Sequence, residues 1–256
     1  MQRVVFLLYG VVCYLVFLVS FVYAIGFVGN LVVPKSIDSG LPGPVASALV
    51  INALLLGLFA VQHSVMARHG FKKVWTKVIP NPIERSTYVL LSSLILILMY
   101  WQWRPMPDSV WQISNVAGRT VLQALCWIGW LIVLVSTFII NHFDLFGLRQ
   151  VVYHAQRKEL TPLPFTKRGL YKLLRHPIML GFIIAFWSTP DMSLGHLIFA
   201  IATTGYIIVG ILLEERDMVV YHGKAYEAYR REVPMLVPGT KMRPGGGNIQ
   251  PTGDEA

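Results

Sequence analysis

The chain has 256 residues, of which 55 % are hydrophobic and only 14 % are charged. Soluble domains average about 45–50 % apolar and about 25 % charged residues, so this composition argues against a soluble globular protein and excludes a disordered chain. The net charge is +9, and two cysteines are too few for a disulfide scaffold or a thiolate metal site.

Apolar segments long enough to cross a membrane follow one another along the chain. A spanning helix needs about 20 apolar residues. Four segments are predicted to span, namely residues 4–29, 45–67, 87–103 and 120–140. The first lacks a small-residue cleavage site, so we expect a retained helix and not a secretory signal. A long polar and basic stretch follows, and then two more apolar segments, 178–188 and 194–213.

The distribution of basic residues predicts the orientation in the membrane. If the N-terminus is cytoplasmic, 19 of the 22 lysines and arginines fall on the cytoplasmic side, as the positive-inside rule requires. Both termini then share one side, and the number of crossings is even. The segment 178–188 is too short to span alone, so it must form an antiparallel hairpin with 194–213, turning at 189–191.

The predicted fold class is therefore all-α: a polytopic membrane helical bundle with four full spans plus a C-terminal helical hairpin, N-in and C-in. We expect one membrane-embedded domain over residues 1–237. The Gly- and Pro-rich tail, 238–256, is expected to be disordered. The basic clusters alternate with apolar spans, which favours the topological interpretation over nucleic-acid binding.

The hairpin brings two charged clusters to one membrane face. Arg175, His176 and Pro177 precede its first limb, and Glu214 and Glu215 follow the second. Proline suits the first turn of a helix, whose free N–H groups attract anions. Carboxylates at a helix C-terminus need nearby cations. A zwitterionic or sulfonium-bearing ligand would satisfy both clusters, although simple pairing of Arg175 with either glutamate is the alternative.

Two motifs in the last 90 residues carry a family resemblance. Residues 166–180 read TKRGLYKLLRHPIML, and residues 214–234 read EERDMVVYHGKAYEAYRREVP. The pair resembles the signatures of integral-membrane methyltransferases related to isoprenylcysteine carboxyl methyltransferase. The matching positions are Gly169, Tyr171, Arg175, His176, Pro177, Gly181, Glu214, Glu215, Tyr221, Gly223, Tyr226, Tyr229, Val233 and Pro234. Met179 replaces a tyrosine of those families, and methionine cannot donate a hydrogen bond.

Three upstream segments narrow the resemblance and extend it over most of the chain. Residues 62–68, 84–88 and 141–150 are similar to the bacterial methanethiol S-methyltransferase family. The resemblance implies methylation of methanethiol to dimethyl sulfide by S-adenosylmethionine, with hydrogen sulfide as a lesser acceptor. It also implies a bacterial inner-membrane location, and the small thiol and the lipid bilayer are the expected partners.

The resemblance also assigns candidate roles. The cofactor-binding candidates are Tyr171, Arg175, His176, Pro177, Met179, Gly181, Glu214, Glu215 and Tyr226. The start of the helix at Pro177, with Arg175 or His176, is expected to hold the methionyl carboxylate. Glu214 or Glu215 is expected to bind the α-amino group or the ribose, and Tyr171 and Tyr226 to help cover the cofactor. The catalytic candidates are His63, Arg85, Tyr88 and His142, with His63 orienting or deprotonating the thiol because its ordinary pKa suits proton transfer near neutrality.

Simpler interpretations remain open for these residues. A histidine near a helix end, as His63 is, is more often a hydrogen-bonded interfacial residue, and Asn141, His142 and Asp144 are more often structural. We expect no metal, because no two of the histidines lie in a ligand spacing. The alternative functions are a membrane methyltransferase acting on a lipid or prenylated acceptor, and a membrane redox or assembly factor without transferase chemistry.

Overall fold

The structure is a computed structural model that describes residues 1–161, 163 and 167–240. The helices are α1 Gln2–Gly29, α2 Val45–Ala67, α3 His69–Trp75, α4 Asn81–Gln102, α5 Val116–Ile140, α6 His142–Leu145, α7 Leu148–Ala155, α8 Pro177–Trp187, α9 Leu194–His222 and α10 Lys224–Glu232. A single 3-10 turn, Gly169–Lys172, precedes α8, and two short strands are β1 Ser109–Gln112 and β2 Asp191–Ser193.

Five of these helices, α1, α2, α4, α5 and α9, are long and apolar enough to cross a membrane. The sixth apolar helix, α8, has 11 residues, which at ~1.5 Å per residue reaches ~17 Å, about half the hydrocarbon thickness. It packs against α5 and α9. The prediction of an all-α polytopic membrane protein is therefore confirmed.

The helices pack side by side around an aromatic core. Helix α1 lies along α4, α4 along α2, and α5 along α8. The core between them contains Phe27, Tyr100, Trp103, Trp130 and Phe199. Ring centroids of Phe27 and Tyr100 lie 5.0 Å apart, and Trp103 meets Phe199 edge to face at 5.8 Å. Since lipid supplies little hydrophobic drive between helices, such close packing is what holds the bundle together.

The bundle has two chemically different ends. We name as the basic end the one that carries residues 68–85, 141–161, 167–175 and 216–240 beside the N-terminus of α1. The opposite end carries β1 and β2, which pair antiparallel. There Arg119 forms two hydrogen bonds to Asp191, at 2.7 and 2.8 Å, and Ser193 hydrogen-bonds Asp38. This ribbon, which the sequence did not predict, ties the turn between α8 and α9 to the start of α5.

Two predicted boundaries are wrong by six residues or more. Helix α4 begins at Asn81 and not at residue 87, so the third span is of ordinary length. Helix α9 runs to His222, so Glu214 and Glu215 lie more than a turn inside it. The expectation that they sit at a helix C-terminus is therefore wrong, because the apolar run ends at 213 but the helix does not. The predicted disordered tail, 238–256, falls from residue 241 onward outside the described residues.

Candidate functional site at the basic end

Glu215 is the centre of a buried charge cluster. Its side chain is 6 % exposed and that of Arg175 is 9 % exposed. Arg175 Nε donates to Glu215 Oε1 at 2.6 Å, and His176 Nε2 lies 3.1 Å from the same oxygen. Arg230 Nε on α10 lies 3.3 Å from the other oxygen. The hairpin thus joins the two predicted clusters, and the pairing of Arg175 with a glutamate is observed.

Glu214 lies beside this cluster but in a different environment. Its side chain is 49 % exposed, and its Oε2 is 3.7 Å from Nδ1 of His176. The His176 ring, itself 6 % exposed, therefore stands between a buried carboxylate and an open one. Of these two glutamates, Glu214 is the one whose carboxylate a ligand can reach without breaking a close ion pair.

The chain after α10 returns across the start of α8. The backbone N–H groups of Arg175 and His176 donate to the carbonyls of Pro234 and Met235, at 2.9 and 3.2 Å. The hydroxyl of Tyr229 donates to the carbonyl of Tyr171 at 2.7 Å. The N–H groups of residues 175 and 176 are thus already used, and the α10 segment closes over the charge cluster.

Three buried tyrosines lie where the α10 segment covers the charge cluster: Tyr171, Tyr226 and Tyr229. Burial raises the pKa of Tyr229 to about 12 and also raises the pKa of Tyr171 and Tyr226. Their hydroxyls therefore stay protonated near neutrality. Beside them opens a cleft of about 440 Å³, lined by Lys167, Tyr171, Lys172, Tyr229, Glu232 and Val233.

The remaining predicted cofactor residues lie on α8. Pro177 is its first residue and is buried, as expected for the first turn of a helix. Met179 is partly exposed. Gly181 faces α5, where an added Cβ would lie 2.7 Å from the carbonyl oxygen of Gly129 and 2.8 Å from Val133. Close helix packing therefore accounts for a glycine at 181.

A second polar cluster lies between α2 and α4. The hydroxyl of Tyr88 lies 3.0 Å from the ring nitrogens of His63, and Ser92 Oγ lies 3.3 Å from His63 Nδ1. Ser92 also donates to Gln62 Oε1 at 3.1 Å. Tyr88 and Ser92 are buried, and His63 is partly exposed. Polar side chains inside spans are costly and mark functional sites.

Arg85 supplies the positive charge next to this cluster. Its guanidinium lies over the Tyr88 ring, 5.0 Å from the centroid, and its Nε donates to the carbonyl of Leu145 at 2.8 Å. The structure therefore brings together three of the four predicted catalytic residues, His63, Tyr88 and Arg85.

His142, the fourth, bonds to other partners and connects two spans. Its Nε2 is 2.9 Å from the Tyr14 hydroxyl on α1, and its Nδ1 is 2.9 Å from Thr137 on α5. Burial lowers its pKa. The side-chain oxygen of Asn141 accepts a hydrogen bond from the backbone N–H of Asp144. The carboxylate of Asp144 pairs with Arg149 at 2.9 Å. These contacts favour the structural interpretation of this segment.

Several residues near the two clusters were missed by sequence reasoning. On α9, Tyr206 accepts from Ser64 at 3.2 Å, and Asp217 pairs with Arg68 at 2.7 Å. Arg230 was also missed, although it follows directly after a motif tyrosine. The signal for Tyr206 was its hydroxyl group inside a largely apolar span.

Helix α9 connects the two clusters. Tyr206 lies beside the residues around His63, and Glu214 follows eight positions later, roughly 12 Å along the axis. The same helix therefore contributes to both clusters. Among residues 1–161, 163 and 167–240, no group of three or more His, Cys, Asp or Glu side chains could hold a metal ion.

The fold and the site define an integral membrane helical protein with a charged, tyrosine-rich site at one end. Similarity to known proteins identifies the family. The family model for NnrU protein matches residues 51–228. The chain is 56 % identical to methanethiol S-methyltransferase of Mycobacterium tuberculosis, over 93 % of this chain and 98 % of that protein. It is 54 % identical to methanethiol S-methyltransferase of Crocosphaera subtropica, over 93 % of both chains.

The chain belongs to the NnrU protein family, in the group that contains these methanethiol S-methyltransferases. A more distant relative is Nurim of Mus musculus, 28 % identical over 68 % of this chain and 69 % of its own length. No solved structure matches the chain.

Proposed function

We propose that the protein transfers a methyl group from S-adenosylmethionine to methanethiol, giving dimethyl sulfide and S-adenosylhomocysteine. The observation that carries this proposal is the 56 % identity to a methanethiol S-methyltransferase along almost the whole of both chains. The two polar clusters at and near the basic end supply groups suited to the two reactants.

The Glu215 cluster suits the donor. When bound, S-adenosylmethionine supplies an electrophilic methyl group on a sulfonium that also carries an α-amino group and a carboxylate. Glu214 offers a half-exposed carboxylate to a cationic group, and Arg230 is a partly exposed guanidinium for an anionic one. Met179 is partly exposed and offers polarizable surface to the remainder, and Tyr171 lines the cleft beside the cluster. The residues present therefore fit a zwitterionic sulfonium ligand.

The His63 cluster suits the acceptor. Methyl transfer forms a bond from the acceptor sulfur to the methyl carbon as the donor's carbon–sulfur bond breaks, and the thiol proton must leave. The thiolate is the nucleophile, and His63 accepts the thiol proton. Arg85 stabilises negative charge near Tyr88. Methanethiol, a small apolar molecule, reaches His63 from the lipid between the spans.

The charge distribution predicts how the two clusters are oriented in the membrane. With the basic end in the cytoplasm, the Glu215 cluster faces the compartment that contains S-adenosylmethionine. In a bacterial cell this orientation corresponds to the inner membrane. Methanethiol then enters from the lipid, and S-adenosylmethionine enters from the cytoplasm.

A headspace assay tests the proposal. Purified protein in detergent is given S-adenosylmethionine and methanethiol, and dimethyl sulfide is followed by gas chromatography. We expect product from the wild type, a loss of at least about 100-fold in Glu215→Gln, and near wild-type turnover in Glu159→Gln, whose side chain is exposed and belongs to neither cluster. Binding of the donor without dimethyl sulfide would indicate another acceptor, and absence of both would contradict a transferase.

A further inference from the structure

Aromatic rings enclose the partly exposed His63 side chain. Phe59, one turn earlier on α2, stacks on it with centroids 5.1 Å apart and planes 19° from parallel. Tyr88 on α4 lies 5.2 Å from it on the inner side. Tyr206 on α9 meets Phe59 edge to face at 6.1 Å. Three helices therefore contribute rings to one small enclosure.

The exposure of these residues shows which side of the enclosure is open. Tyr88 and Ser92 are buried, whereas Phe59, His63 and Tyr206 are partly exposed. The accessible part of His63 is consequently bounded by Phe59 and Tyr206 and not by the buried α4 side. A molecule approaching His63 from between α2 and α9 must pass these two rings.

Both rings are held in place. Phe59 and His63 are four residues apart, so they lie on one face of α2. The hydroxyl of Tyr206 accepts from Ser64 at 3.2 Å, which fixes the Tyr206 ring against α2. Aromatic side chains have few rotatable bonds and pack at native density, so they resist displacement by an extra methylene group.

We propose that Phe59 and Tyr206 determine acceptor specificity by restricting the space beside His63 to thiols of about one carbon atom. This inference rests on the proposed function, since it takes His63 as the acceptor end of the site. A pocket generally discriminates against one methylene group by about 10–200-fold. The rings act by size exclusion and take no part in the chemical step.

A thiol series tests the proposal on the purified full-length protein. Rates with S-adenosylmethionine are measured for methanethiol, ethanethiol and 1-propanethiol, and kcat/KM is compared between acceptors. The wild type is expected to prefer methanethiol over ethanethiol by at least about 10-fold. Phe59→Ala and Tyr206→Ala are expected to reduce that preference by at least about 10-fold while the KM for S-adenosylmethionine stays unchanged.

Control variants separate size exclusion from general disturbance. Trp101→Ala removes an exposed ring of α4 near the opposite end and should leave the acceptor preference unchanged. Tyr206→Phe keeps the ring and should retain most of the preference. Should an alanine variant fail to fold, Phe59→Leu and Tyr206→Leu are expected to shift the preference in the same direction.

The outcomes distinguish this inference from the function on which it rests. Equal kcat/KM for methanethiol and ethanethiol in the wild type would overturn the specificity proposal and leave the transferase intact. An unchanged preference in active Phe59 and Tyr206 variants would overturn it also. Failure of the wild type to methylate methanethiol, with donor binding retained, would overturn the proposed function itself.

Discussion

Glu215 lies among more positive charge than one carboxylate can balance. Arg175 and Arg230 both approach its carboxylate. The exposed carboxylate of Glu214, which lies 3.7 Å from His176, supplies a second negative charge beside them. Burying a charge is costly unless it is paired, so each member of the cluster depends on the others. A cationic ligand group at Glu214 would add charge where the protein has left a carboxylate accessible.

Replacing Glu215 by glutamine is expected to destabilise the protein as well as to inactivate it. The change leaves the Arg175 guanidinium buried without its counter-ion, and breaking a buried pair costs about 3–5 kcal/mol. Thermal unfolding in detergent measures the effect. The matched control is Glu232→Gln, which breaks an exposed pair with Lys167 and should cost less than about 1 kcal/mol. Equal stability of both variants would contradict this account of the cluster.

His142 makes stability depend on pH. Its pKa is lowered by burial in the folded protein, whereas an unfolded histidine has a pKa near 6.5. The unfolded state therefore binds the proton more readily, so stability rises with pH across this window. The contribution is complete above about pH 6.5 and is lost as pH falls toward the lower folded value.

Unfolding measured at pH 7.5 and pH 5.5 checks this expectation. The wild type should lose more stability on acidification than His142→Gln, which has no titrating ring but can still bond Tyr14 and Thr137. Comparison of the two proteins cancels the other histidines. An identical pH dependence in both would show that His142 does not titrate in the way its burial implies.

At the scale of elements, the crossing of α5 and α8 depends on two glycines. An added Cβ at Gly129 would lie 2.6 Å from the backbone nitrogen of Ala185 and 2.7 Å from the carbonyl oxygen of Gly181. Backbone atoms cannot move aside as a flexible side chain can. Small residues at helix contacts allow this close approach in membranes.

Alanine at either position should therefore separate α5 from α8. We expect Gly129→Ala and Gly181→Ala to lower stability by about 1–3 kcal/mol, the usual cost of overpacking. Gly210 on α9 is the control, since a Cβ there would meet no atom within 4 Å. Gly210→Ala should be neutral or stabilising by about 0.5–1 kcal/mol. Thermal unfolding of the three variants distinguishes tight packing at this crossing from helix propensity.

The boundaries of the helices show what hydropathy predicts and what it misses. The second span, Val45–Ala67, is as predicted because its apolar run and its helix coincide. Helix α9 extends past its apolar run and ends only before Gly223, whose φ of 51° stops it. The strands β1 and β2 have four and three residues. They are too short to show the alternation of apolar and polar residues by which a strand is recognised in a sequence.

At the scale of the whole molecule, topology predicted the meeting of the two charged clusters. An even number of crossings requires the hairpin, and the hairpin joins Arg175 to Glu215. The sequence did not predict how α10 and the residues after it pack. Arg230 meets Glu215 on α9, and residues 234 and 235 meet Arg175 and His176, only through tertiary contacts. Nor could spacing show that Tyr206 and His63, 143 positions apart, border one enclosure.

The same charge asymmetry predicts which end of the molecule faces the cytoplasm, and that prediction can be tested directly. Gly43 lies exposed in the loop at the opposite end, and Lys158 lies exposed after α7 at the basic end. In bacterial spheroplasts a membrane-impermeant maleimide should label Gly43→Cys at once and Lys158→Cys only after permeabilisation. The native cysteines, Cys13 and Cys126, lie within spans α1 and α5, and the unmodified protein measures their background. The reverse labelling pattern would direct the Glu215 cluster away from cytoplasmic S-adenosylmethionine and would contradict the proposed donor site.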